Sequence, residues 1–302
     1  MQNSLTSLSN ELAKLVEEYQ AEVVAVHARP HFPSSGVRWR PGIVVTADHT
    51  VRRDEDIQIT LPDGGKVEAK LVGRDAGSDI AVLKAEGIGS PARPADASGN
   101  AKVGELALVL GRSPDSGPNA SLGIISAFSG PWRTWRGGRL ENYIRLDATL
   151  FPNSSGGAVI DSQGRILGMA TSALSRIAGL AVPTATVNRV VDGLLEKGYL
   201  PRGYLGVALQ AVAIPDSLRA TLALPNQSGV IVVNVEPGGP AEKAGVLLGD
   251  ILVSVGSTTV EDIDDLQSVS DSSAIGKPVK VKLIRAGAAV EVTAVVDERP
   301  GR

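Results

Sequence analysis

No cysteine occurs in the 302 residues. That excludes disulfides, thiol catalysis, iron–sulfur clusters and Cys-ligated zinc. Histidine is almost as scarce: only His27, His31 and His49 are present, too few for a multi-histidine metal site, so no metal and no cofactor is expected. Aromatic residues make up 3% of the chain, which leaves Val, Leu, Ile and Ala to fill the cores. An excess of basic charge is also missing. The formal net charge is −3, which excludes a nucleic acid held through phosphate contacts. No apolar run approaches the ~18 residues of a transmembrane helix. The start, Met1-Gln-Asn-Ser-Leu-Thr-Ser-Leu, has neither the basic nor the apolar region of a secretory leader. As written, the chain reads as cytoplasmic, or as extracytoplasmic if a leader was removed.

Glycine (34) and proline (18) are plentiful and predict many turns. Leu5, Leu8, Leu12, Leu15 and Tyr19 recur at helical spacing and predict a helix over 4–19. Short β-type runs follow, among them Val23–His27, Ile43–Thr46, Asp79–Ala85, Leu106–Leu110 and Ile166–Ala170. Gly, Pro and Asp punctuate them, a pattern of barrels or sandwiches. A second helix is predicted over 186–197, capped by Thr186 and ended by Gly198. Pro201-Arg-Gly then marks a boundary between a first domain, 1–200, and a second, 203–302, which returns to strands with short helices near 240–244 and 262–270.

Three residues carry candidate chemistry. Ser155 sits in Phe151-Pro-Asn-Ser-Ser-Gly-Gly, which reads either as a polar loop or as a tight turn whose amides converge on a developing oxyanion. His49 closes the apolar run Ile43-Val-Val-Thr-Ala. It is either a hydrogen-bonded structural residue or a general base, since imidazole titrates near neutral pH. Asp79 heads Asp79-Ile-Ala-Val-Leu-Lys and is either a strand-end residue or the carboxylate that orients the imidazole, with Asp75 as its rival. His27 and His31 read as surface residues. The order His, Asp, Ser on a β-rich chain differs from the Ser, acid, His order of α/β-hydrolases and matches the two-barrel chymotrypsin arrangement.

The stretches Val45-Thr-Ala-Asp-His-Thr-Val, Ser78-Asp-Ile-Ala-Val-Leu-Lys and Asn153-Ser-Ser-Gly-Gly resemble trypsin-like serine proteases of the HtrA/Deg type. So do Ser121-Leu-Gly-Ile-Ile-Ser-Ala and Tyr143-Ile-Arg-Leu-Asp-Ala. Arg202-Gly-Tyr-Leu-Gly-Val and Val235-Glu-Pro-Gly-Gly-Pro-Ala-Glu-Lys-Ala-Gly resemble that family's C-terminal PDZ domain. The resemblance implies a mainly β protein, a chymotrypsin-like double β-barrel followed by a PDZ domain. It implies His49 as general base, Asp79 as its orienting carboxylate and Ser155 as nucleophile, with an oxyanion hole from the amides of Asn153 and Ser155. By position, Thr149, Ile177 and Leu180 are expected to line the specificity pocket, with no buried acid and a preference for small or medium aliphatic residues. Tyr204, Leu205, Gly206 and Val207 are expected to bind a peptide C-terminus.

The function so implied is ATP-independent endoproteolysis of unfolded or misfolded polypeptide by a homo-oligomer, a trimer in the family. The alternative is a catalytically weak protease-like chaperone or PDZ peptide-binding protein. Its motive is Asn153, where the family carries Gly, because the loop is expected to need an unusual backbone conformation there. Ser154 stands where the family has Asn, and Asp48 where it has Ala. Asp48 places an extra carboxylate beside the base, either acting on it or pointing into solvent.

Overall fold

The computed structural model describes residues 4–93, 101–267 and 274–298. The chain divides into two compact units, Met1–Leu200 and Pro201–Arg302, each with its own hydrophobic core.

Unit one opens with α1 (Ser4–Tyr19), whose Leu12, Leu15 and Val16 pack on the core while Leu5 and Leu8 face solvent. The first barrel follows: β1 (Val23–His27), β2 (Ser34–Arg40), β3 (Ile43–Ala47), β4 (Ile57–Thr60), β5 (Lys66–Asp75) and β6 (Ile80–Lys84). It closes in the order β1-β2-β3-β6-β5-β4. Then come β7 (Leu106–Ser113), β8 (Gly117–Ser129), a side hairpin of β9 (Trp132–Arg133) and β10 (Arg139–Leu140), and β11 (Tyr143–Asp147), β12 (Ala158–Asp161), β13 (Ile166–Thr171) and β14 (Gly179–Pro183). The second barrel closes as β11-β14-β13-β12-β7-β8. Helix α2 (Thr184–Lys197) completes the unit.

The two barrels share a core. Alternation along β3 sends Val44 into the first barrel's interior but Val45 and Ala47 toward the second barrel. On β6, Ala81 and Leu83 face inward while Ile80 and Val82 meet Leu108, Ile160, Met169 and Val182. Strands buried on both faces lose their polar alternation, which is why Ile43-Val-Val-Thr-Ala and Ile80-Ala-Val-Leu read as continuous apolar runs. Their register sets Ala47 against Ile80, so the residues just beyond each strand end, His49 and Asp79, emerge together.

Helix α2 begins two residues before the predicted start. Thr186 does not cap it: the residue before the helix is Pro183, and no side chain caps the end. Thr186 is buried and instead donates to Glu141 and accepts from its amide. Gly198 ends the helix at φ 77°, its amide donating to Leu194, as a left-handed terminus favours glycine. Strand β2 was not legible. Its Ser34 and Ser35 are buried because both side chains find partners, Ser34 the Thr50 hydroxyl and Ser35 the Asn153 carbonyl.

Unit two contains β15 (Gly203–Tyr204), β16 (Val207–Ala213), α3 (Asp216–Leu222), β17 (Ser228–Val235), α4 (Pro240–Lys243), β18 (Ile251–Val255), β19 (Thr258–Thr259), α5 (Ile263–Gln267), β20 (Pro278–Arg285), β21 (Ala288–Val295) and β22 (Asp297–Glu298). The main sheet runs β16-β17-β18-β20-β21, so β16 is an edge strand. Helix α3 was unpredicted, and the expected helical residues 268–270 lie outside the described residues.

Candidate active site

His49 stands in a short 3-10 turn, Asp48–Thr50, directly after β3. Its backbone amide donates to Asp79 Oδ1 at 2.9 Å, and its Nδ1 lies 2.8 Å from Asp79 Oδ2. The Asp79 backbone is held at φ 58°, an unusual conformation for a non-glycine residue. It turns the carboxylate back under the imidazole. Asp79 is fully buried, whereas the His49 side chain is about one-fifth exposed. Thr171, at the end of β13, donates its hydroxyl to Asp79 Oδ2. Among the described residues, no arginine or lysine pairs with this carboxylate. The rival Asp75 does different work: it accepts from the Ser78 hydroxyl at 2.5 Å and the Ser78 amide at 3.0 Å, and so shapes the turn that delivers Asp79.

Ser155 lies in the loop between β11 and β12 and is 3% exposed. Its Oγ is 3.2 Å from Ser172 Oγ, and no hydrogen bond joins it to His49. The carboxylate–imidazole pair is therefore formed, while the hydroxyl rests against a neighbouring serine. The loop is anchored on the first barrel. Ser35 of β2 donates its hydroxyl to Asn153 O at 2.6 Å and its amide to Ser155 O at 3.2 Å. Gly156 takes φ 88°, and a Cβ there would overlap the Ser35 carbonyl oxygen, so glycine is required. Among the described residues, the amides of Asn153 and Ser155 donate to no protein acceptor. Unengaged amides of this kind are available to an oxyanion.

The expected pocket residues do not share one environment. Thr149 is exposed and Ile177 is 84% exposed. Leu180 is 1% exposed and packs in the shared core. β14 is buried on both sides, so Leu180 offers no surface to a substrate side chain, and the structure removes it from the pocket wall. His27 is likewise not the surface residue expected: it is half-buried in β1 and bonded to Thr60 Oγ1 at 2.9 Å. Burial first, then Lys66 and Arg53, lower its pKa. His31 is exposed.

In unit two, Tyr204, Leu205 and Gly206 lead into the edge strand β16, which Val207 begins. Two carbonyls of this segment are fixed inward: Ala241 donates to Leu205 O and Glu236 to Gly206 O, both at 2.8 Å. Among the described residues, the Leu205 and Gly206 amides donate to no protein acceptor. The Tyr204 hydroxyl is shielded from solvent and has no hydrogen-bond partner among the described residues.

A trypsin-like peptidase domain model matches residues 34–169, and a PDZ domain model matches residues 203–296. The chain belongs to the HtrA/Deg-type family of trypsin-like serine proteases. A probable periplasmic serine endoprotease, DegP-like, of Brucella suis is 33% identical over 285 residues, covering 91% of this chain and 54% of that protein. The chain thus spans about half the length of such relatives. The serine endoprotease structure from Yersinia pestis superposes with a TM-score of 0.74 at 27% identity, covering 95% of this chain and 98% of that one. The HtrA-type protease AlgW with a decapeptide gives 0.75 at 27% identity, covering 96% and 99%.

Two departures of this HtrA-type chain now have physical accounts. Asn153 is not in the left-handed region; Gly156 carries the positive φ instead. Asp48 neither points into solvent nor stands free beside the base. It is 4% exposed and paired with Arg74 Nε at 2.5 Å. Arg74 also donates to Val51 O at 3.1 Å, so one guanidinium neutralises Asp48 and braces the His49 turn. Arg74, Thr171, Ser35 and Ser172 were missed in the sequence. Their one signal there is a polar residue within or beside an apolar strand.

Proposed function

We propose that this chain is a serine endopeptidase in which Ser155 attacks the substrate carbonyl and His49, held by Asp79, moves the proton. The observation that carries this is the buried Asp79 carboxylate, 2.8 Å from His49 Nδ1 and, among the described residues, paired with no arginine or lysine. A buried carboxylate needs a counter-charge, and here that charge forms only when the imidazole accepts a proton.

For attack, the Ser155 side chain rotates from Ser172 to His49 Nε2, which takes its proton. Asp79 stabilises the imidazolium. The Asn153 and Ser155 amides receive the oxyanion, worth about 3–4 kcal/mol per lost donor in comparable sites. His49 then protonates the leaving amine, and water activated by His49 releases the acyl chain. Thr149 and Ile177 flank the acyl-side pocket, which favours aliphatic residues.

The PDZ loop fits a peptide carboxylate on the Leu205 and Gly206 amides, with the peptide adding to the β16 edge. Unfolded polypeptide is the substrate class, a homotrimer the assembly, and 1–200 and 203–302 the functional domains. The relatives named periplasmic support an extracytoplasmic site of action over the cytoplasmic expectation. The catalytically silent reading differs in its outcome: it predicts no phosphonate labelling at Ser155.

The test is casein digestion by wild type and Ser155→Ala, with phosphonate labelling of the wild type. Labelling of Ser155 together with loss of digestion in the variant supports the assignment. Digestion that persists in the Ala variant refutes it.

A further inference from the structure

The chain contains three phenylalanines, and two of them face solvent beside the nucleophile loop: Phe32 is 69% exposed and Phe151 is 46% exposed. One side chain ties the Phe32 backbone to Pro152, the residue after Phe151. Arg29 donates Nε to Phe32 O at 2.5 Å and Nη2 to Pro152 O at 3.0 Å. The Phe32 amide closes back on Pro30 O at 2.8 Å, and Pro30 and Pro33 restrict the loop further. The aromatic ring of Phe32 is therefore presented by a braced loop. Leaving two phenylalanines in water forgoes the stabilisation that burial would give each, so their exposure beside a reactive hydroxyl has a cost that a ligand would relieve.

Their position fixes which part of a substrate reaches them. Phe32 comes from the first barrel, between β1 and β2, and Phe151 lies four residues before Ser155. Ser172, 3.2 Å from the Ser155 hydroxyl, directly follows β13 of the second barrel. A polypeptide whose acyl-side residue sits against the second barrel runs on over the first.

We propose that Phe32 and Phe151 form a subsite for a large apolar side chain on the leaving-group side of the scissile bond, with Arg29 as the positioning residue that sets their spacing. This rests on the serine endopeptidase reading and adds a substrate preference to it. Large apolar residues become available to such a subsite only when a protein unfolds, so the pair selects denatured over native chains.

The experiment digests a denatured protein mixture with full-length enzyme and sequences the new N-termini, each of which begins with the leaving-side residues. Wild type is expected to enrich Phe, Leu or Met within the first two positions. Matched peptides with Phe or Gly there then give a kcat/KM ratio. That ratio is expected to fall about fivefold or more in Phe32→Ala, Phe151→Ala and Arg29→Ala, while the preference at the acyl-side residue stays as in wild type. Neither phenylalanine belongs to a hydrophobic core of the unit, so the Ala variants keep the cores intact.

A wild type without leaving-side preference overturns the proposal, as do variants that retain the ratio or that change the acyl-side preference instead. Variants whose assembly mass changes while the ratio holds would make the pair a contact between copies of the chain, which also overturns it. Failure of the peptidase reading is separate: wild type would then neither cleave nor take up phosphonate at Ser155.

Discussion

Each unit buries an aspartate, and the two are neutralised in opposite ways. In unit two, Asp250 is 2% exposed and meets Arg285 through Oδ1 at 2.9 Å and Oδ2 at 2.7 Å. Burial pushes its carboxyl up, but the Arg285 hydrogen bond, the Leu247 amide and the Arg285 charge together hold it below its ordinary value. In unit one, Asp79 is buried more completely, yet among the described residues its partners are an imidazole and neutral donors. Asp48 and Asp161, also buried, each have an arginine, Arg74 and Arg165. A permanent cation makes a carboxylate structural. A partner that gains charge only on accepting a proton leaves the carboxylate's field to act during the reaction.

The largest test of this contrast is Asp79→Asn. It should lower kcat on the order of ten-thousand-fold with the fold retained, read by steady-state kinetics beside circular dichroism. A loss of tenfold or less would make Asp79 another structural aspartate.

Two glycines at positive φ sharpen the comparison next. Gly156→Ala places a methyl on the Ser35 carbonyl and should cost about 3 kcal/mol or more together with all activity. Gly206, at φ 77°, leaves 3.4 Å to its nearest atoms, so Gly206→Ala should cost about 1–2 kcal/mol of backbone strain alone. Urea melts of the two variants separate these outcomes.

Asp250→Asn should lower the Tm of unit two by several degrees at neutral pH. Because the folded carboxyl titrates below the unfolded one, its stabilisation is full above about pH 4 and is lost as pH falls through the lower, folded value. The difference between wild type and variant should therefore shrink in acid.

The smallest effect is expected from Arg74→Ala, which leaves the Asp48 carboxylate without its arginine partner. The Arg74 side chain is over a third exposed, so water takes over part of its role and the Tm should fall by only about two degrees or less, read by circular dichroism. A second change, Asp48→Asn, should recover part of that loss.

The sequence displayed the two apolar runs and the His and Asp at their ends, because strands buried on both faces leave uninterrupted hydrophobic stretches. The residue pattern alone left Asp79 and Asp75 open and only the resemblance pointed to Asp79, since the choice depends on a φ of 58° at Asp79 that composition does not encode. Leu180 was misassigned for a related reason: on a strand buried throughout, alternation no longer says which way a side chain points. Strand β2 was hidden because it begins with two buried serines, whose side chains are satisfied by the Thr50 hydroxyl and the Asn153 carbonyl far along the chain. Arg74 was invisible as the partner of Asp48, 26 residues away.

Ser35 has a consequence for how the enzyme comes into being. Its hydroxyl also accepts from the Arg112 amide at 2.9 Å, so a single serine of one half-molecule is the bracket on which the other half hangs its nucleophile. Two fragments severed between β6 and β7 would each carry part of the machinery and neither a complete one, and hydrolysis would report their reunion.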